Sequence, residues 1–186
     1  MSNLNTVFDW VNGMVTTTGV PLDSGLQVLA CDADFCDGFE VGIGNDNRSA
    51  LYWYLDFASR TPKWIDFLMS IRNFAVGFFH LKNVGRLSDV PLPAAAENLR
   101  TGDRVGIFTI RSISDKEVLL EIIDTHLDVV LSVYRECGNF PKIKVITMVF
   151  NHNVLGRLYM LPVAPLHKVI VRAILSNHDR LMTRNT

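Results

Sequence analysis

KIKVITMVFNHNVLGRLYMLPVAPLHKVIVRAIL, residues 142–175, is the longest strongly patterned run in the chain. Ile143, Val145, Thr147 and Val149 alternate with Lys144, Ile146, Met148 and Phe150, and that density of β-branched residues predicts a central strand. The strand ends at the polar group Asn151-His152-Asn153. From Leu155 the period changes. Leu155, Leu158, Tyr159, Pro162, Leu166, Val169, Ile170, Ala173 and Ile174 fall three or four apart, which predicts one face of a long terminal helix. The last strand of a sheet therefore feeds a helix that lies back across it.

Working back from this run, strands are expected over Arg104–Ser112, Glu117–Ile123, Leu127–Arg135 and Lys142–His152. The joins Ser114-Asp115-Lys116 and Gly138-Asn139-Phe140-Pro141 are short enough for hairpins, so this half reads as an antiparallel meander. The segment 87–100, with Pro91, Pro93 and three successive alanines, is a loop. Before it lie two helices, one over Ser49–Ala58 and one opened by Thr61-Pro62, where Thr61 is placed to cap and Pro62 has no N–H to lose. The second carries a broad aromatic face from Trp64 through Phe67 and Phe74 to Phe78 and Phe79, best explained by burial. Short strands are expected at Gly25–Ala33 and Phe39–Ile43, and a short amphipathic helix over 4–15. The acidic group Asp32, Asp34 and Asp37 reads as a solvated turn, because it lacks a His or a calcium-loop spacing. This order of elements predicts an α+β helix-grip fold, an antiparallel sheet wrapped on a long C-terminal helix with a helix pair inserted after the first strands.

A chain of 186 residues is long enough to bury one core, and we expect a single domain over 25–176, flanked by an N-terminal extension at 1–24 and a tail at 177–186. The net charge of −1 argues against a nucleic-acid partner, which needs a basic surface. That charge is uneven. From Val154 onward Arg157, Lys168, Arg172, Arg180 and Arg184 face Asp179 alone, which suits the end of a helix and also an anionic ligand or membrane surface. Cys31, Cys36 and Cys137 form no CxxC, which points to a reducing, cytoplasmic setting. The first residues lack the pattern of a signal peptide, and Trp64–Leu81, the most apolar window considered, is broken by Asp66, Arg72 and Asn73, so no transmembrane segment is expected. No glycine-rich phosphate loop, nucleophile elbow or metal signature is present, and no cofactor is assigned.

The polar residues of interest gather by register. If Glu136 pairs with Lys142, then His126 lies opposite His152, with Asp128 nearby and Asn153, Arg157, Tyr159 and His167 on the helix that follows. Three readings of this group stand side by side. A metal site needs converging, oriented ligands, and the spacing matches none. An acid–base site would use His126 or His152 with Asp128. A structural reading has Asn151, His152 and Asn153 satisfying backbone groups where strand becomes helix, with Asp124 and His126 in a turn.

HLDVVLSV at 126–133 and HNVLGRLYMLPVAPLHKVIVRAIL at 152–175 resemble the signature stretches of the domain of unknown function 2867 family. DADFCDGFEV at 32–41, PKWIDFLMSIRN at 62–73 and TGDRVGIFTI at 101–110 are similar to its other blocks, so the resemblance covers residues 25–176. It implies a likeness to the START and Bet v 1-like (SRPBCC) superfamily, with an apolar cavity between sheet and terminal helix. It supplies no reaction.

The function expected is therefore binding of a small hydrophobic or amphipathic molecule. Val105, Ile107, Leu120, Val129 and Val145 would form walls, and His126, Asp128, His152, Asn153, Arg157, Tyr159 and His167 the polar contacts. The alternatives are a cyclase, isomerase or hydrolase using His126, His152 and Asp128, and a non-catalytic homodimeric interaction module.

Overall fold

Alternating apolar residues at 127–136 and 142–151 give each central strand two faces that both need cover, and the chain covers one with helices and the other with a loop. The computed structural model describes residues 15–77 and 86–182, the side chains of 71–77 and 178–182 excepted. In chain order the elements are β1 (Thr16–Thr17), β2 (Phe35–Gly42), α1 (Ala50–Ser59), α2 (Lys63–Gly77), a 3-10 turn (Pro93–Asn98), β3 (Arg104–Val105), β4 (Phe108–Ile113), β5 (Glu117–Ile123), β6 (Leu127–Glu136), β7 (Lys142–Asn151) and α3 (Val154–Met182). The strands make one antiparallel sheet in the order β1-β2-β7-β6-β5-β4-β3. This is a helix-grip-like architecture, with the sheet packed against α3 and the pair α1–α2 inserted after the first strands.

The β6–β7 register pairs Glu136 with Lys142 and Leu127 with Asn151, as the loop length between them requires. Ser49 caps α1 by accepting a hydrogen bond from the Tyr52 amide, and almost the whole of α1 is buried against the sheet. On that concave side the core joins Trp53 and Leu55 of α1 to Phe39, Ile110, Val133 and Ile143 of the strands. The convex side is covered by residues 20–33, whose Leu26 is fully buried among Leu119, Val130, Ile146 and Met148.

Several expectations are corrected. Gly25–Ala33 is a series of turns, held by Gln27 N–H to Ser24 O and Leu29 N–H to Leu26 O, because Thr16–Thr17 takes the sheet edge beside β2. The strand expected over 104–112 is split by Gly106, whose φ of 61° lies in the left-handed region and turns the chain between β3 and β4. Thr61 does not cap α2, since its hydroxyl is buried without a partner among the described residues. The helical face read from Leu155 is mixed. Leu158 and Val169 point to solvent, Leu166 is part-exposed at the cavity wall, and Gly156, Met160, Val171 and Leu175 are buried. Among the described residues, Val154–Asn177 of α3 is a helix apolar enough by length and composition to cross a membrane. The helix expected at 4–15 (Val15 apart), Phe78, Phe79, His80 and Arg184, together with the side chains of Phe74, Asp179 and Arg180, lie outside the described residues.

Candidate functional site

Strand parity decides what the site can contain. Leu127, Val129, Leu131 and Val133 of β6 and Val145, Thr147 and Val149 of β7 face α3 across a cavity of about 290 Å³. Their even-numbered neighbours point the other way. The remaining walls come from Phe35, from Ile65, Leu68 and Met69 of α2, and from the inner face of α3 around Val163 and Ile170. The lining is overwhelmingly aliphatic and aromatic, and its polar side chains are Tyr54, Asp124, Thr147, Tyr159 and His167. Of the walls expected from sequence, Ile107, Val129 and Val145 line the cavity. Val105 and Leu120 are instead fully buried core.

Most of the polar lining is occupied with structural work. The Tyr54 hydroxyl donates to the Val105 carbonyl at 3.0 Å, and burial pushes its ionisation far above the usual phenol range. The Asp124 carboxylate accepts from the Thr125 amide at 2.6 Å within the β5–β6 turn. His167 stands apart. It projects from the inner face of α3 with its Nδ1 3.2 Å from Asp37 Oδ2, and Phe35 packs edge-on against its ring with centroids 6.1 Å apart. Asp37 lies on β2 directly opposite Thr147 of β7. Among the described residues Asp37 Oδ1 and Thr147 Oγ1, both buried, have no hydrogen-bond partner. Beside them Cys36 is a poor nucleophile, because burial and then the Asp37 charge raise its thiol ionisation.

The other residues singled out in the sequence lie outside the cavity. His152 N–H donates to the His126 carbonyl at 2.9 Å, so the two histidines are cross-strand neighbours. Their rings take separate partners. His152 Nε2 lies 3.2 Å from Asp128 Oδ2, and His126 Nδ1 lies against the Asn153 amide. Asn153 Oδ1 also accepts from the Gly156 amide at 3.1 Å, opening α3 as an N-cap does. A Cβ on Gly156 would stand 2.2 Å from the His126 carbonyl oxygen, so only glycine lets the helix start so close to the β5–β6 turn. His126, Asp128, His152, Asn153 and Arg157 do not line the cavity, whereas Tyr159 and His167 do. Asp128 neighbours Val129, and consecutive strand residues face opposite sides. Among the described residues no group of three or more His, Cys, Asp or Glu is placed to hold a metal ion.

The stretch that builds this arrangement, from β2 to the inner face of α3, coincides with residues 29–174, which match the family model described as protein of unknown function DUF2867. The chain belongs to the DUF2867 family. No curated protein and no solved structure matches it. The DUF2867 match takes in Asp37, Thr147, Tyr159 and His167, so every polar group of the cavity described here belongs to the shared domain. Asp37 was missed in the sequence, although it stands at an inward position of alternation between Phe35 and Phe39.

Proposed function

We propose that this DUF2867 chain binds a small hydrophobic or amphipathic molecule between its sheet and C-terminal helix, in the manner of START and Bet v 1-like domains. The observation that carries the reading is the cavity of about 290 Å³ with nearly continuous apolar walls. That volume sits at the small end of ligand pockets, roughly 300–1,000 Å³, which favours a compact molecule over a full lipid. Tyr159 and His167 supply the polar contacts. The surface pair His152–Asp128 and the His126–Asn153 contact fasten the β5–β6 turn to the start of α3. Titration with the neutral fluorophore N-phenyl-1-naphthylamine tests this reading. Saturable enhancement is expected in the wild type and a loss of about tenfold or more in affinity for Val129→Trp, which fills the cavity. Equal binding by both proteins would place the dye elsewhere and count against the cavity.

A second, compatible reading concerns the outer face of α3. Val154, Leu158, Leu161 and Val169 are more than half exposed there, Arg157 and Lys168 lie among them, and no acidic residue occurs between Val154 and Asn177. Two such faces brought together would set like charges side by side, so the better-matched occupant is an anionic lipid surface. Co-sedimentation with vesicles containing phosphatidylglycerol, weakened by Leu161→Glu and absent with phosphatidylcholine alone, is the expected result. Indifference to vesicles together with a dimer in sedimentation velocity would replace the lipid surface with self-association.

A further inference from the structure

Resting on the cavity reading above, we propose that His167 is the anchor for a hydroxyl group on an otherwise apolar ligand, with Asp37 as the positioning residue that keeps its outer nitrogen free to accept. A carboxylate can only accept hydrogen bonds, so the nitrogen facing Asp37 Oδ2 at 3.2 Å carries the proton. In the neutral ring the other nitrogen, Nε2, is then the acceptor, because the partner of one ring nitrogen sets the tautomer of both. Phe35, packed edge-on at 88°, fixes the plane of the ring, and Asp37 fixes its rotation.

Tyr159 also lines the cavity, and its hydroxyl can donate to an alcohol or an ether oxygen alike; the rest of the lining offers little competition for this role. The Tyr54 hydroxyl is already donated to Val105, and Asp124 is folded into its own turn. Thr147 turns its hydroxyl into the wall, where it is buried. His167 keeps about a quarter of its side-chain surface open while it lines the cavity. A ligand that donates one hydrogen bond and is apolar elsewhere, a medium-chain or cyclic alcohol, matches a largely aliphatic chamber with one accepting nitrogen. An ether of the same size fills the chamber equally well but has no proton to give, and it would leave the nitrogen unpaired.

The buried, unpartnered Asp37 Oδ1 and Thr147 Oγ1 lie on opposed residues of β2 and β7 behind the histidine. Among the described residues no donor reaches the second carboxylate oxygen, so the contact with His167 is the hydrogen bond that orients Asp37. Replacing Asp37 by asparagine puts an amide where the carboxylate stands. An amide can donate as well as accept, so it removes the reason for Nδ1 to hold the proton.

The test is displacement of N-phenyl-1-naphthylamine from the full chain by 1-decanol and by 1-methoxynonane, which match in heavy-atom number and differ in the donor. The wild type is expected to prefer the alcohol by about five- to tenfold, the usual worth of one hydrogen bond to a group otherwise left unpaired. His167→Phe should bind the dye and lose the preference. Asp37→Asn should reduce the preference while leaving affinity for the ether unchanged, a split that a merely structural role for Asp37 would not produce. Wild-type displacement by both compounds within twofold of each other overturns the anchor and leaves the cavity intact. Failure of both compounds to displace bound dye overturns the anchor and the cavity reading together.

Discussion

The two faces of this sheet are built from the same strands and solve opposite problems. On the convex face the loop 20–33 is sealed down by polar groups that satisfy one another. The Glu117 carboxylate accepts from Ser24 Oγ at 2.5 Å, from Ser132 Oγ at 2.6 Å and from the Gly25 amide at 2.8 Å. Beside it Asp23 accepts from the Tyr134 hydroxyl at 2.6 Å and pairs with Lys116. On the concave face, between β2 and β7, Asp37 and Thr147 each hold a buried oxygen with no partner, and a cavity remains. The convex face spends its polar residues on closure, and the concave face keeps open space and one anchored imidazole. Unsatisfied buried groups cost stability, and on this face two of them lie on paired residues beside the cavity.

The largest effect that would sharpen this contrast is at Glu117. Glu117→Ala leaves Ser132, which is fully buried, and Ser24 without their acceptor, and should lower unfolding free energy by about 2–4 kcal/mol in urea titration. A loss under about 0.5 kcal/mol would mean that the loop is held by Leu26 alone. The next test is one of sign. Ser132→Ala removes a satisfied hydroxyl and should cost about 1 kcal/mol, whereas Thr147→Val removes an unsatisfied one and should be neutral or stabilising by up to about 1 kcal/mol. Destabilisation by Thr147→Val comparable to that of Ser132→Ala would erase the distinction between the faces.

The smallest effect is electrostatic and depends on pH. Hydrogen bonds from Lys116 and then Tyr134 lower the Asp23 carboxyl to about 2 in the folded chain, below its usual value. A group depressed on folding contributes stability that is complete above its unfolded pKa and is lost as pH falls through the folded one, here between about pH 4 and pH 2. Asp23→Asn should therefore melt slightly below the wild type at pH 7 and level with it at pH 2. A difference that persists at pH 2 would assign the effect to packing rather than charge. The pair is exposed, so the shift in midpoint should be small.

Much of the fold was legible because its signals are local. The β-branched alternation at 142–151 gave β7, the short joins gave the meander, and the loop from Glu136 to Lys142 fixed a register that places His126 opposite His152. Boundaries that depend on neighbours were not legible in this way. Gly25–Ala33 has strand-like apolar content but no edge left to pair with, and Thr61 has a capping side chain that burial denies a partner. The site divides along the same line. Tyr159 and His167 lie on the helix that the sequence marks and line the cavity, whereas Asp128 and Val129 are consecutive and strand parity sends them to opposite faces. The reading of Asp32, Asp34 and Asp37 as a solvated turn fails at Asp37, whose alternation with Phe35 and Phe39 on β2 marks an inward carboxylate. Its partner could not be read at all, because His167 lies 130 residues away and meets it only when β2 pairs with β7 and α3 crosses both.

Native mass spectrometry of the gently purified chain, with solvent extraction of any excess mass, decides whether the space between sheet and helix holds a ligand. A fraction of the chain is expected to carry a single compact organic molecule, released on mild activation and absent from Val129→Trp. A bare mass in both proteins, with no uptake of added N-phenyl-1-naphthylamine by either, would contradict this and leave the space between sheet and helix as a packing feature without a ligand.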